Sequence, residues 1–199
     1  MLAFGVALAA LPGCFGEERG ALGFLSSGKE DDAPRDVLRM VELYDGEVVV
    51  RGPAGYCIDR KTLRRQSNAG FVLLASCESL SGVRGSEVEP VVMTVSVLPD
   101  TAGLPRPSPE DVARSLRGAE VLKAHEVGEV AMVQFATGGA GILKEGDPRH
   151  WRGAMTLNGH LLGFALYARR GSDLAGDEGR EMLSELARRI RSATPPRAQ

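Results

Sequence analysis

The amino-acid sequence predicts an α+β fold in which an antiparallel sheet is covered by helices. Three features carry this prediction. Short apolar runs with strand periodicity recur along the chain, an Asn-Gly pair lies between two of them, and the last predicted element is an amphipathic helix. The order of strands, one helix, hairpin-linked strands and a closing helix is typical of this class rather than of alternating β-α-β units.

The composition bounds the size of the domain and excludes one class of partner. The chain has 199 residues, of which 43% are hydrophobic, so a single domain can bury a core. The formal net charge is −2, and only 5% of the residues are aromatic. Nucleic-acid binding favours a basic surface or a set of stacking aromatic rings, and the composition supplies neither. We therefore expect one folded domain over residues 46–192 and no nucleic-acid partner.

The first half of this domain contains four predicted strands. A β-branched run covers residues 47–51, and a second strand covers 56–58. Residues 59–70 are polar and predict a loop or a helical turn. The continuous apolar run at 71–76 predicts a central strand that is buried on both faces. Residues 91–98 alternate between apolar and polar types, so they predict a strand that is buried on one face.

A helix and two more strands are predicted in the next part of the chain. Ser108 and Pro109 form a helix start, with serine as the N-cap and proline at the first helical position. Gly118 can end this helix. Residues 120–136 predict two strands that are joined by a Gly-Glu turn, and the glycine-rich residues 137–148 predict a loop.

The pair Asn158-Gly159 predicts a two-residue hairpin turn, because both residues tolerate the positive φ angles of a type I′ turn. The turn sets the register of the two flanking strands. One face then pairs mainly apolar residues: Leu157 with His160, Met155 with Leu162, Gly153 with Phe164, and Trp151 with Leu166.

An amphipathic helix over residues 177–192 is the last predicted element, with Asp177 as its cap. Arginines near its C-terminal end interact favourably with the helix dipole. Residues 193–199 are predicted to form a disordered tail. The buried stripe of this helix consists of Met182, Leu183, Leu186 and Ile190.

This order of elements, from about residue 47 to residue 190, resembles the Mog1/PsbP-like α/β/α sandwich. The long loop before the last hairpin and the closing helix are part of the resemblance. The fold is used by small bacterial envelope lipoproteins and by accessory subunits of membrane complexes. The resemblance therefore implies a protein that binds a protein partner or assists the assembly of an envelope complex. It brings no catalytic residues to this chain.

Residues 1–11 form an uninterrupted apolar run of signal-peptide length. The segment Leu11-Pro12-Gly13-Cys14 resembles the lipobox of bacterial lipoproteins, in which a signal peptidase cuts before an acylated cysteine. The resemblance implies a signal peptide at 1–13, palmitate-type lipidation of Cys14, and a flexible tether over 14–45 that spans about 30 Å. The expected location is the bacterial cell envelope, lipid-anchored to the membrane and facing the periplasm. An ordinary secretory signal, an uncleaved anchor and a cytosolic protein with an apolar N-terminus are the alternatives.

With Cys14 bound to lipid, Cys57 and Cys77 remain as an even pair in a compartment that permits disulfides. A disulfide between them would stabilise the fold by about 3 kcal/mol through the loop that it closes. Two buried thiols that behave as small hydrophobic side chains are the alternative. A redox-active pair is disfavoured, because reactive dithiols are usually spaced as Cys-x-x-Cys.

The sequence contains no recognised catalytic or metal-binding motif. Its three histidines are not spaced as zinc ligands, and no serine lies in a Gly-x-Ser-x-Gly segment. We therefore expect a non-enzymatic protein without metal or cofactor. The alternative is an exported small-molecule binder or hydrolase-like enzyme with a site in loop 137–150, formed by Glu145, Asp147 and His150 together with His125 or His160.

Overall fold

The computed structural model describes residues 36–99, 101 and 103–197. The predicted signal peptide at 1–13 and the predicted lipidation residue Cys14 lie outside these residues. Most of the predicted tether lies outside them as well.

The folded domain begins before the predicted boundary at residue 46. Strand β1 (Met40–Leu43) pairs with strand β2 (Val48–Arg51) in an antiparallel hairpin. Val41 and Leu43 of β1 are buried in the main core. The predicted tether therefore ends before β1. A strand of four residues with only two buried side chains is too short for sequence periodicity to separate it from coil.

An antiparallel sheet of eight strands lies at the centre of the domain, so the predicted fold class is confirmed. Its strands are β3 (Tyr56–Ile58), β4 (Arg64–Gln66), β5 (Ala69–Ser76), β6 (Val91–Leu98), β7 (Val121–Val127), β8 (Val130–Phe135), β9 (Gly146–Leu157) and β10 (His160–Arg169). They follow the order β3-β5-β6-β10-β9-β8-β7, and β4 also pairs with β5. The helices are α1 (Cys77–Ser81), α2 (Pro109–Arg114) and α3 (Asp177–Ala193), and a 3₁₀ turn spans Asp173–Ala175.

The hairpin of β9 and β10 has the predicted register. Asn158 and Gly159 have φ angles of 52° and 79°, as a type I′ turn requires. On its other side β10 pairs with β6, so this hairpin lies in the interior of the sheet. The observed pairs include Leu157 with His160, Met155 with Leu162, Gly153 with Phe164, and Trp151 with Leu166.

Helix α3 and the β1–β2 hairpin cover one face of the sheet, which we call the α3 face. The fully buried Trp151 is the largest side chain of this core, and its Nε1–H donates to the carbonyl oxygen of Gly176 at 2.7 Å. This bond fixes the start of α3 against β9. In the predicted stripe of α3, three residues are buried: Leu183, Leu186 and Ile190. Met182 is partly buried at the margin of the core.

Helix α2 and the loop after β8 cover parts of the opposite face. Ser108 caps α2 as predicted, and it forms a capping box with Asp111. Val112 of this helix packs in a small cluster on β8. Ile142 and Leu143 of the loop pack on a separate cluster that lies on β5, β6 and β10.

Several local predictions were wrong. The segment 59–70 contains strand β4, whose three residues are exposed and polar, so only its backbone pairing with β5 defines it. The loop after β8 is shorter than predicted, because β9 begins at Gly146, which pairs with Arg169. Asp177 does not cap α3. Gly176 occupies the N-cap position, and the carboxylate of Asp177 accepts a hydrogen bond from Lys123 Nζ at 2.8 Å.

The first residue after α3 is packed rather than disordered. Thr194 is buried, and its Oγ1 accepts a hydrogen bond from the backbone N–H of Val49 at 2.9 Å. The predicted tail at 193–199 therefore begins inside the fold, and residues 198–199 lie outside the described part of the chain.

The close approach of α3 to the preceding turn leads to a stability prediction. Alanine normally stabilises a helix relative to glycine by about 1 kcal/mol. At Gly179, however, an added Cβ would overlap the Leu174 carbonyl oxygen and lie 2.9 Å from Trp151 Cδ1. We expect Gly179→Ala to lower the free energy of unfolding by about 1–3 kcal/mol in urea titrations.

Gly163→Ala is the matched control for this substitution. No heavy atom lies within 4 Å of a Cβ added at Gly163, so this variant should be as stable as the wild type or slightly more stable. A Gly179→Ala protein that gained stability would show that α3 does not approach the turn this closely.

Candidate functional site

The structure joins Cys57 and Cys77 through a disulfide across twenty positions of the sequence. Cys57 is fully buried in β3, at one edge of the sheet, and Cys77 is the first residue of α1. The backbone N–H of Cys77 also donates to the carbonyl oxygen of Gly55 at 2.8 Å. The disulfide therefore holds the edge strand β3 to the end of β5.

Two of the residues predicted for a site in loop 137–150 make structural contacts instead. The buried carboxylate of Asp147 accepts hydrogen bonds from Nε and Nη2 of Arg149, both at 3.0 Å, and from its backbone N–H. The hydrogen bonds from the Arg149 side chain lower the pKa of Asp147. Glu145 has a φ angle of 59°, and its carbonyl oxygen accepts a hydrogen bond from the N–H of Arg170. In the described part of the chain, neither carboxylate forms a hydrogen bond with a histidine.

His150 lies in an aromatic stack on the face opposite to α3. Its ring centroid lies 5.4 Å from that of Phe135 and 5.3 Å from that of Tyr167. Gly138 of the loop approaches the imidazole so closely that an added Cβ would lie 3.3 Å from Cε1. Burial, together with the nearby charge of Arg152, lowers the pKa of His150 to about 4. The imidazole is therefore neutral at physiological pH.

The other two histidines lie on the α3 face and do not converge with His150. His125 pairs with Met132 in the sheet, and its ring centroid lies 6.0 Å from that of Trp151. His160 stacks on Tyr44 at 4.7 Å, and its Nε2–H donates to Glu47 Oε2 at 2.9 Å. The predicted combination of His150 with either histidine is thus not formed, because successive side chains of a strand point to opposite faces.

A cleft of about 960 Å³ lies where three turns meet on the α3 face. Tyr44 and Asp45 form the first turn with φ angles of 52° and 54°, and Tyr44 Oη donates to the carbonyl oxygen of Val97 at 2.9 Å. The second carboxylate oxygen of Glu47 contacts Arg197 Nε at 3.2 Å. His160 and Arg197 thus both hold Glu47, while Nδ1 of His160 is buried and has no hydrogen-bond partner among the described residues. The cleft has room for a ligand.

Sequence reasoning missed this cleft because its parts are far apart in the chain. Its lining comes from the β1–β2, β4–β5 and β9–β10 turns and from the segment after α3. The Asn-Gly signal located only one of these turns. Among the described residues, no group of three or more His, Cys, Asp or Glu side chains is arranged to hold a metal ion. No helix in the same part of the chain is both long enough and apolar enough to cross a bilayer.

Comparison with known proteins assigns no family. No protein-family model and no curated protein matches the sequence. Among solved structures, the Saccharomyces cerevisiae Ran-binding protein Mog1p matches with 16% sequence identity and a TM-score of 0.43, over 76% of this chain and 90% of that chain. The matched protein bears the name of the fold family that the element order resembles. At this identity and TM-score, the likeness carries no argument about family or function.

The buried imidazole predicts a pH dependence of stability. The folded-state pKa of His150 is about 4, below the ordinary value of 6.5. Between these values the unfolded chain binds the proton and the folded chain does not, so stability falls as pH decreases from about 6.5 to about 4. Replacing His150 with Phe should remove up to about 3 kcal/mol of this dependence.

The measurement is the free energy of unfolding of the wild type and of the His150→Phe variant across this pH range. The difference between the two curves separates the contribution of His150 from that of the titrating carboxylates. A histidine ring signal that titrates near its ordinary value by NMR, with parallel stability curves for the two proteins, would contradict the buried stack.

Proposed function

We propose that the chain is an exported, lipid-anchored protein of the bacterial cell envelope that faces the periplasm and binds a protein partner without catalysing a reaction. Cys14 is the proposed lipid attachment residue. The observation that carries this proposal is the Cys57–Cys77 disulfide. Disulfides persist in oxidising compartments, and this one leaves Cys14 as the single remaining cysteine of the chain.

The state of the candidate catalytic groups supports a binding role over an enzymatic one. His150 is neutral and stacked between two aromatic rings, Asp147 is held by Arg149, and His160 is held by Glu47. Asp147 and His150 of loop 137–150 therefore contact different partners and form no acid–base pair with each other in the described structure.

The test of the anchor is the intact mass of the protein purified from its native membrane fraction. We expect a mass that lacks residues 1–13, carries lipid on Cys14, and gains two alkyl groups from a thiol reagent only after reduction. Cys14→Ser should abolish the lipid and move the protein out of the membrane fraction. A chain that retains residues 1–13 and has three alkylatable thiols before reduction would overturn both the anchor and the exported location.

The disulfide has a separate test in stability. The double variant Cys57→Ser/Cys77→Ser should lose about 3 kcal/mol of unfolding free energy, since the unfolded chain then regains the entropy of the open loop. Wild-type protein in reductant should lose a similar amount. Cys14→Ser is the matched control, and urea titrations should find its stability unchanged. If reduction leaves the unfolding midpoint in place, the bond does not stabilise the domain.

A further inference from the structure

Strand β7 forms an edge of the sheet, and helix α2 packs beside it on the face opposite to α3. Within the described residues it pairs only with β8, so the backbone groups on its other side have no strand partner. Val121, Leu122 and Val127 of this strand are 41%, 44% and 38% exposed. The register shifts between Val121 and Lys123, which leaves residues 123–127 as the regular part of the edge. An exposed apolar edge of this kind is a template for another strand.

A groove runs between β7 and helix α3, and we call it the β7–α3 groove. It consists of three adjoining cavities of about 420, 440 and 390 Å³. The first two share Arg180, and the last two share Val127. His125 and Val127 point to the α3 face, so a strand added to β7 would direct every second side chain into this groove.

Arg180 lines the groove together with Asp177, whose carboxylate its charge stabilises, but it forms only one long ion pair among the described residues. Its nearest carboxylate oxygen among the described residues belongs to the exposed Glu181, at 3.8 Å. Lys123, the usual type of residue that protects an edge strand, is instead held by Asp177 at 2.8 Å. Beside these groups, Nε2 of His125 is buried and has no hydrogen-bond partner in the described structure. The groove thus offers a guanidinium to a carboxylate, next to the apolar surface of Val127.

We propose that the β7–α3 groove binds an extended peptide segment of the partner protein by β-strand addition to β7. The backbone of the segment pairs with residues 123–127. A carboxylate of the segment pairs with Arg180, and an apolar side chain two residues away packs on Val127. This inference rests on the proposed partner-binding role and names the chemistry of the partner.

The groove fits such a segment better than it fits a second copy of this chain. An antiparallel β7–β7 pair keeps the faces of the two sheets aligned, so each side chain stays on its own face. The one acidic residue of β7 is Glu126, which pairs with Ala131 and lies on the face opposite to α3. A second copy would therefore bring no strand carboxylate to Arg180.

The test uses the mature full-length protein and a blocked ten-residue threonine-rich peptide with one Asp and a Leu two residues to either side of it. Leucine on both sides serves either strand direction. We expect the peptide to shift the amide NMR signals of residues 123–127. A peptide with Lys in place of Asp should bind about tenfold more weakly. A peptide with N-methyl groups on all of its residues should not bind, because neither of its edges can then donate hydrogen bonds to β7.

Arg180→Glu is the matching protein variant, and it should reverse the preference between the Asp and Lys peptides. Arg60→Glu is its control, since it changes the charge equally but lies between β3 and β4, and it should bind as the wild type does. Circular dichroism checks that both variants are folded.

Three outcomes would overturn the proposal: no shift in β7, equal binding by Arg180→Glu, or a peptide-free dimer with protected β7 amides in ultracentrifugation and hydrogen exchange. None of these outcomes would contradict the lipid anchor, which the intact mass of the protein tests separately. Because the peptide assay needs no lipid, a failed anchor would conversely leave a positive peptide result intact.

Discussion

The hairpin of β9 and β10 is the constraint on which the rest of the domain depends. Its Asn158-Gly159 turn fixes which side chains point to each face, and a shift of one residue would exchange the two faces. In the observed register Trp151 points to the α3 face and donates to the Gly176 carbonyl oxygen at 2.7 Å. The start of α3 is fixed at this bond. The glycine at 179 then lets the helix pass beside the tryptophan ring.

The same alternation decides what the histidines can do. His150 and Trp151 are neighbours on β9, so His150 must point to the opposite face from the core tryptophan. His125 and His160 point to the tryptophan side and lie near Trp151 and Tyr44. A site that joins His150 to either of them would have to cross the sheet. The histidines are separated because side chains alternate between the two faces along each strand, and not because of any single side-chain conformation.

The sequence predicted the parts of the fold that depend on local chemistry. The turn residues, the alternation of residues 91–98 and the serine cap of α2 each act over a few positions, and the structure confirms them. Strand β4 could not be predicted, since three exposed polar residues become a strand only through the backbone of β5. The cleft and the environment of His150 depend on elements that are distant in the chain, so no local sequence pattern predicts them.

The two edges of the sheet differ in how they are held and covered. At one edge, β3 is held by the Cys57–Cys77 bond, and the N–H of Ile58 donates to the Leu38 carbonyl oxygen at 2.7 Å. At the other edge, β7 exposes apolar side chains beside a groove with a loosely paired arginine. An open apolar edge favours aggregation unless it is occupied. A partner strand on β7 would both remove this hazard and supply the proposed binding role. The closed edge stabilises the scaffold on which the open edge is displayed.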